Sequence, residues 1–189
     1  MFHVTERLLL RPAWPEDADA LFGGIADEAI VRNLARAPWP YLPEHAREFV
    51  TRETDPRMPA FLMTLPGSKG SRVIGAVGLG EHEDGVELGY WIARPYWGLG
   101  FATEAARAVV GMARASGVRN IRAGHFADNP ASGNVLRKLG FRFTGETQKR
   151  HSLGRNALVD CLIFEEGEGG GMNDDPMMDA YANDLPVAA

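Results

Sequence analysis

A single mixed α/β domain is the fold class that this sequence predicts, on three observations. Three strand-like runs in succession, Ala60 to Leu65, Arg72 to Leu79 and Val86 to Ile92, are joined by the turn-forming segments Pro66-Gly67-Ser68 and Glu83-Asp84-Gly85, which predicts an antiparallel meander. Helical and strand periods then alternate as far as residue 164. The 189 residues are 45% hydrophobic and 24% charged, the size and balance of one packed domain, and no repeat or biased linker divides residues 1–164. A mostly antiparallel sheet of about seven strands with helices on both faces is the expected architecture.

Each element has its own signal. Thr5 to Arg11 reads as a first strand. Pro15 to Phe22 reads as a helix, opened by Pro15 and carrying Glu16, Asp17 and Asp19 at the end whose dipole favours anions. Asp27 to Leu34 and Pro43 to Arg52 place apolar residues at helical spacing on either side of the breaker Pro38-Trp39-Pro40-Tyr41. After the meander, Thr103 to Ser116 carries Ala106, Val109, Val110 and Ala113 on one stripe, with Gly117 as its terminating glycine. Asn120 to Phe126 follows as a strand and Pro130 to Leu139 as a short helix stopped by Gly140. Phe141 to Gln148 and Ala157 to Phe164 are the last two strands.

Charge and cysteine usage exclude several functions. The net charge is −5, yet seven acidic and no basic residues follow Phe164, so residues 1–164 carry 20 basic against 18 acidic residues. That near-neutral body lacks the bias of a nucleic-acid binder. The acidic, glycine-rich residues 166–189 have too little apolar surface to offset their ordering entropy, and a disordered tail is expected behind a domain of residues 1–165. One cysteine, Cys161, sits in an apolar run as an expected core thiol, and five histidines without paired ligand spacing predict neither a disulfide framework nor a metal site. Met1 to Arg11 forms neither a signal-peptide core nor a membrane span. The expectation is a cytoplasmic monomer or homodimer with no metal, membrane or nucleic-acid partner.

The segment Gly89-Tyr90-Trp91-Ile92-Ala93-Arg94-Pro95-Tyr96-Trp97-Gly98-Leu99-Gly100-Phe101-Ala102-Thr103-Glu104-Ala105 runs from a strand through a glycine turn straight into a helix. The first amides of a helix have no internal acceptors and lie at its positive end, so this order makes a phosphate or pyrophosphate cradle. The alternative is a tight connection whose glycines serve steric needs alone. A P-loop is excluded, because no lysine follows Gly98 or Gly100 before Lys138. A dinucleotide fingerprint fails as well: Thr103 stands at its third small position, and antiparallel strands precede the turn.

With these residues in view, the chain resembles the GNAT N-acetyltransferases, and within them the branch that acetylates ribosomal-protein amino termini. Trp97-Gly98-Leu99-Gly100-Phe101-Ala102 is similar to that family's coenzyme A pyrophosphate motif, with Trp97 at the usual Arg or Gln position. Asn129-Pro130-Ala131-Ser132, continuing to Lys138-Leu139-Gly140-Phe141, resembles the branch's Asn-x-x-Ser segment, and Thr5 to Arg11 its opening strand. The resemblance spans residues 3 to 164. It implies a sheet splayed between its fourth and fifth strands, Glu87 to Ala93 and Asn120 to Phe126, with the pantetheine of acetyl-CoA between them. It also implies that the backbones of Ile92 and Arg94 meet pantetheine and that the turn from Gly98 through Leu99, Gly100, Phe101, Ala102 and Thr103 holds the pyrophosphate. Asn129 either bonds a pantetheine amide or caps the helix that begins at Pro130.

The implied reaction is direct attack of an amine on the acetyl thioester, with acetyl-CoA as cosubstrate. A backbone N–H near Ile92 stabilises the oxyanion. Glu87 shares a strand face with Gly89 and Trp91 and is either the base for the amine proton, acting through water, or a solvent-facing carboxylate. Ser132 stands where some members place the group that protonates the thiolate, or it is a helix-surface residue. Many members use a tyrosine four positions on, where this chain has Leu136. His82 and Glu83 fall in a hairpin turn and read as solvated. Trp14, Trp39 and Tyr41 read as an acceptor-pocket wall or as packing. Arg137, Lys138, Arg142, Lys149, Arg150 and Arg155 form a loosely basic stretch read as solvated surface. The expected acceptor is a primary amine, either a protein or peptide α-amine or a small amino compound. A non-catalytic acyl-CoA-binding module on the same fold is the alternative.

Overall fold

Short runs of alternating apolar residues assemble into one eight-stranded sheet ordered β1-β2-β3-β4-β5-β6-β8-β7. The computed structural model describes residues 1–167 apart from positions 56, 69, 83 and 84, so nearly all of the expected tail lies outside the described residues. The strands are β1 (His3–Val4), β2 (Leu9–Arg11), β3 (Ala60–Leu65), β4 (Arg72–His82), β5 (Gly85–Ile92), β6 (Ile121–Phe126), β7 (Phe141–Ser152) and β8 (Ala157–Glu166). The helices are α1 (Ala18–Ile25), entered through a 3-10 turn at Pro15–Asp17, then α2 (Glu28–Val31), α3 (Pro43–Thr51), α4 (Phe101–Ala115) and α5 (Pro130–Lys138).

Two differences from expectation have local causes. The stretch Thr5 to Arg11 is not one strand. The N–H of Thr5 donates to Leu8 O at 2.9 Å and that of Leu8 to Thr5 Oγ1 at 3.0 Å, which turns the chain back and pairs Val4 with Leu9. Strands of two and three residues are too short to display a period. At the other end, β8 runs to Glu166, whose carboxylate pairs with Arg114 of α4, so the first residue of the expected tail belongs to the sheet.

Helices cover both faces, and strand alternation sorts the core between them. On the α4–α5 face lie Leu10, Met63, Ile74, Leu88, Ile92, Val109 and Phe164. On the α1–α3 face lie Leu21, Ile25, Val31, Leu62, Ala76 and Trp91. Neighbours such as Trp91 and Ile92 therefore serve opposite faces. Arg11 at the end of β2 fastens the entry of α1: its Nη1 and Nη2 donate to the two oxygens of Asp17 at 2.7 and 2.6 Å, with both residues buried.

The site is positioned by one interruption in the sheet. β5 and β6 run parallel and pair only through Val86↔Ile121, Glu87↔Arg122 and Leu88↔Ala123. Beyond Leu88, β5 stays with β4 as far as Gly75↔Ile92, while β6 stays with β8 as far as Phe126↔Cys161. The two central strands thus separate toward their carboxyl ends, the splay expected between these same segments. α4 starts after one of them and α5 after the other.

Candidate functional site

The cleft between β5 and β6 is lined first by backbone. Ala93 N–H donates to Ile74 O at 2.8 Å, so in the alternating antiparallel ladder the backbone groups of Tyr90 and Ile92 face the opposite side, toward β6. The carbonyl of Ile92 accepts a hydrogen bond from Trp97 Nε1 at 2.7 Å, which leaves its N–H as the group presented to the opening. Arg94 begins a 3-10 turn in which its carbonyl accepts from Trp97 N–H at 3.2 Å, and its exposed guanidinium lies 3.4 Å from Asp27.

Gly98 and Gly100 adopt φ of +73° and +80°, the left-handed region that glycine enters without a Cβ clash. Gly100 caps α4 with no side chain, and its carbonyl takes the N–H of Glu104 at 3.0 Å. The amides of Phe101, Ala102 and Thr103 therefore have no acceptor inside the helix. Leu99 is exposed at the tip, and Phe101 is buried beneath it. Arg7 braces this turn from the β1–β2 hairpin: its Nη1 donates to Leu99 O at 2.9 Å, its Nε to Glu104 at 2.7 Å, and its guanidinium lies 4.2 Å from the centre of the Phe101 ring. Burial works to raise the Glu104 pKa, but bonds from Thr5 Oγ1 and from Arg7 outweigh it and hold this carboxyl below its ordinary value. Beside the turn is a cavity of about 260 Å³ lined by Glu6, Arg7, Gly100, Thr103, Glu104, Arg107 and Lys138.

The two candidate catalytic side chains lie on opposite faces of the sheet. Glu87 is on the α1–α3 face, where it pairs with Arg150 of β7 and has its second oxygen 3.9 Å from His82 Nε2. It is neither solvent-facing nor isolated. Glu87, Arg150 and Cys161 converge over Gly124 of β6, where a Cβ would come within 3.4 Å of all three. Burial pushes the Cys161 thiol up to about 11, in keeping with the core thiol expected of it. Ser132 lies across the splay, in the first turn of α5. Its N–H donates to Asn129 Oδ1 at 3.4 Å, so Asn129 caps the helix through its oxygen, while its Nδ2 makes no hydrogen bond among the described residues. Leu136 is fully buried in the core.

Tyr90 was not among the sequence candidates. Its hydroxyl lies 2.8 Å from Ser132 Oγ and 3.1 Å from Ser132 O, bridging the separated arms on the α5 side. Strand alternation places it on the face of Leu88 and Ile92, but nothing local pairs it with a residue 42 positions away. Trp14 and Trp39 are exposed and Tyr41 is buried in the α1–α3 core, so these three do not form one wall. Within the basic stretch, Arg150 is committed to Glu87 and Arg155 to Asp128. Among the described residues there is no cluster of three or more side chains suited to a metal, and no helix is long and apolar enough to cross a membrane.

Comparison with known proteins places these features in a family. The uncharacterized N-acetyltransferase p20 of Bacillus licheniformis is 28% identical over 166 residues, 85% of this chain and 92% of that protein. A GNAT-family acetyltransferase from Bacillus anthracis has the same fold at a TM-score of 0.74 and 24% identity, over 87% of this chain and 97% of that one. A RimL ribosomal L7/L12 alpha-N-protein acetyltransferase, solved in complex with coenzyme A, matches at a TM-score of 0.70 and 19% identity, over 88% of this chain and 97% of that one. The model of the acetyltransferase (GNAT) domain matches residues 7–142, a stretch that holds the arginine brace, the splayed strands, the glycine turn and Ser132. With that much of its length inside the match, the chain belongs to the GNAT acetyltransferase family.

Proposed function

We propose that the protein transfers the acetyl group of acetyl-CoA to a primary amine by direct attack, with both substrates bound together. The observation that carries this reading is the opening of two parallel strands at their carboxyl ends beside a helix N-terminus without a side-chain cap. Ligands of open α/β sheets bind at such carboxyl ends. The amides from Leu99 to Thr103 then meet the pyrophosphate, which Gly98 and Gly100 allow to approach closely. Arg7, Arg107 and Lys138 outnumber Glu6 and Glu104 around the adjoining cavity, and with Arg7 paired to Glu104 the balance is carried by Arg107 and Lys138, which suits an anion. Tyr90 offers its backbone groups to an extended amide chain, Arg94 its N–H, and Asn129 the donor left over from its cap, which leaves the N–H of Ile92 for the acetyl group.

Acetyl-CoA supplies the activated thioester, and the chain supplies the rest. The Ile92 N–H stabilises the carbonyl oxygen as charge develops on it. Glu87 takes the amine proton through water from the α1–α3 face, and Ser132 gives a proton to the departing sulfur from the α5 face. A base and an acid on opposite sides of a gap in one sheet suit a reaction in which the amine arrives on one side and the thiol leaves on the other.

For the acceptor, the proposal is an α-amine of a peptide or of a small amino compound. With a reference pKa of about 7.7–8.0, an α-amine costs on the order of 1 kcal/mol to neutralise at pH 7, against roughly 4.6 kcal/mol for a lysine at about 10.4. One modest base suffices for the former. The RimL neighbour, named for an alpha-N-protein activity, supports this choice of acceptor class. A cytoplasmic setting goes with the reading, since Cys161 is a buried free thiol. Titration calorimetry tests the coenzyme half: acetyl-CoA gives a saturable heat with the intact protein and none with Gly100→Val. Absence of heat with the intact protein would contradict the proposal.

A further inference from the structure

We propose that Tyr90 is a positioning residue for Ser132, donating its hydroxyl hydrogen bond to Ser132 Oγ so that the serine proton points into the opening between β5 and β6. This rests on the proposed acetyl transfer and deepens it. Tyr90 projects from β5 just beyond Leu88↔Ala123, the last pair that β5 makes with β6, and its hydroxyl reaches the first turn of α5. There its shorter contact is with Oγ at 2.8 Å, in which either oxygen can be the donor, and its longer one is with the carbonyl oxygen of Ser132 at 3.1 Å, which can only accept.

The count of hydrogens decides what each arrangement can do. When Tyr90 donates to the carbonyl, its own oxygen is left to accept, and the Ser132 proton is drawn to it and away from the cleft. When Tyr90 donates to Oγ, the serine hydroxyl keeps its own proton for a third partner. Only the second arrangement lets Ser132 protonate a sulfur. Burial holds the Tyr90 hydroxyl in its protonated form well above its ordinary range, so it acts as a fixed donor and not as the source of the transferred proton. The Asn129 cap restrains the backbone of the same serine, leaving its hydroxyl rotation as the freedom that Tyr90 controls.

The step balances. The amine nitrogen forms a bond to the thioester carbonyl carbon, the carbon–sulfur bond breaks with its electron pair on sulfur, and the Ser132 proton passes to that sulfur. The amine gives its proton through water to Glu87, and a proton returned through water from Glu87 restores the serine hydroxyl and the free carboxylate. Tyr90 begins and ends protonated.

The test is a double-mutant cycle on kcat with Tyr90→Phe, Ser132→Ala and the pair, each checked for folding by its melting curve and for coenzyme binding by calorimetry. Tyr90→Phe is expected to lower kcat about tenfold while the KM for acetyl-CoA stays within about twofold, the loss of one oriented hydrogen bond. In the Ser132→Ala background the same change is expected to have no further effect on kcat. A tyrosine needed only for packing would lower kcat equally in both backgrounds, and that result, or an undiminished kcat in Tyr90→Phe, overturns the inference while leaving acetyl transfer standing. A Ser132→Ala enzyme at full rate removes the serine and this inference with it. A wild-type protein that binds acetyl-CoA but acetylates no amine is the separate failure of the proposed function.

Discussion

Gly100 holds the junction of β5 and α4 at a φ of +80°, with open space above it apart from the Arg7 guanidinium 3.6 Å from where a Cβ would sit. A β-branched residue is strained there whatever the space, and its side chain would stand over the amides of Phe101 to Thr103. Gly100→Val is therefore expected to abolish the rise in melting temperature that acetyl-CoA produces by mass action, which a thermal shift series in coenzyme concentration measures. Glu87 makes a different prediction. Glu87→Gln keeps the size and a hydrogen-bond acceptor for Arg150 but loses the proton acceptor, so kcat with an amine should fall by about 10² while acetyl-CoA affinity changes little. A pH–rate profile from pH 6 to 9 that matches the wild type would remove Glu87 from the chemistry. The turn glycines and the face on which Glu87 lies were legible in the sequence, the first because a strand, a glycine turn and a helix follow one another without interruption and the second because strand side chains alternate. Arg150 was not legible as the partner of Glu87, nor Tyr90 as that of Ser132, since each contact joins residues 63 or 42 positions apart.

At the scale of elements, α5 lies against β6 because residue 133 has no side chain. A Cβ on Gly133 would sit 2.7 Å from Nε2 of His125, which is buried and held by its own Nδ1 bond to Phe126 O at 2.9 Å. Gly133→Ala should cost about 1–3 kcal/mol of stability through overpacking, despite the better helix propensity of alanine, and denaturant unfolding measures it. His125 also sets an acid response. Burial, with the Arg137 charge adding to it, lowers the His125 pKa from its ordinary value against the opposing bond to Phe126. Because the folded-state value is depressed, the stability it contributes is complete above about pH 6.5 and is lost as pH falls below that. His125→Gln should flatten the melting-temperature profile between about pH 6.5 and pH 5. Asp17 works in the same sense at lower pH: burial raises its pKa, the Arg11 and Trp14 bonds outweigh that and lower it, and the stability of the pair is lost as pH falls below about 3.9. The meander, α4 and α5 were all visible as periods of two or near four with glycine stops. The β1–β2 hairpin was not, because Thr5 and Leu8 make it with bonds between residues three apart and strands too short to alternate.

The whole molecule places a gap in one sheet between two differently furnished faces, with Glu87 and Arg150 on one side and Tyr90 and Ser132 on the other. Composition predicts that residues beyond Gly167 are dispensable, because they carry acidic charge and no periodic apolar face. A chain ending at Gly167 should keep the acetyl-CoA affinity and melting temperature of the full chain, whereas a large loss of either would show that the remainder docks. The acceptor decides the central claim. Release of free thiol from acetyl-CoA, followed across peptides with free or blocked amino termini, free amino acids, polyamines and aminoglycosides, measures it directly. The account predicts release that depends on the amine and is faster for free α-amines than for blocked peptides bearing an internal lysine. Release that favours the blocked peptides, or no release with any amine from a protein that binds acetyl-CoA, would contradict it.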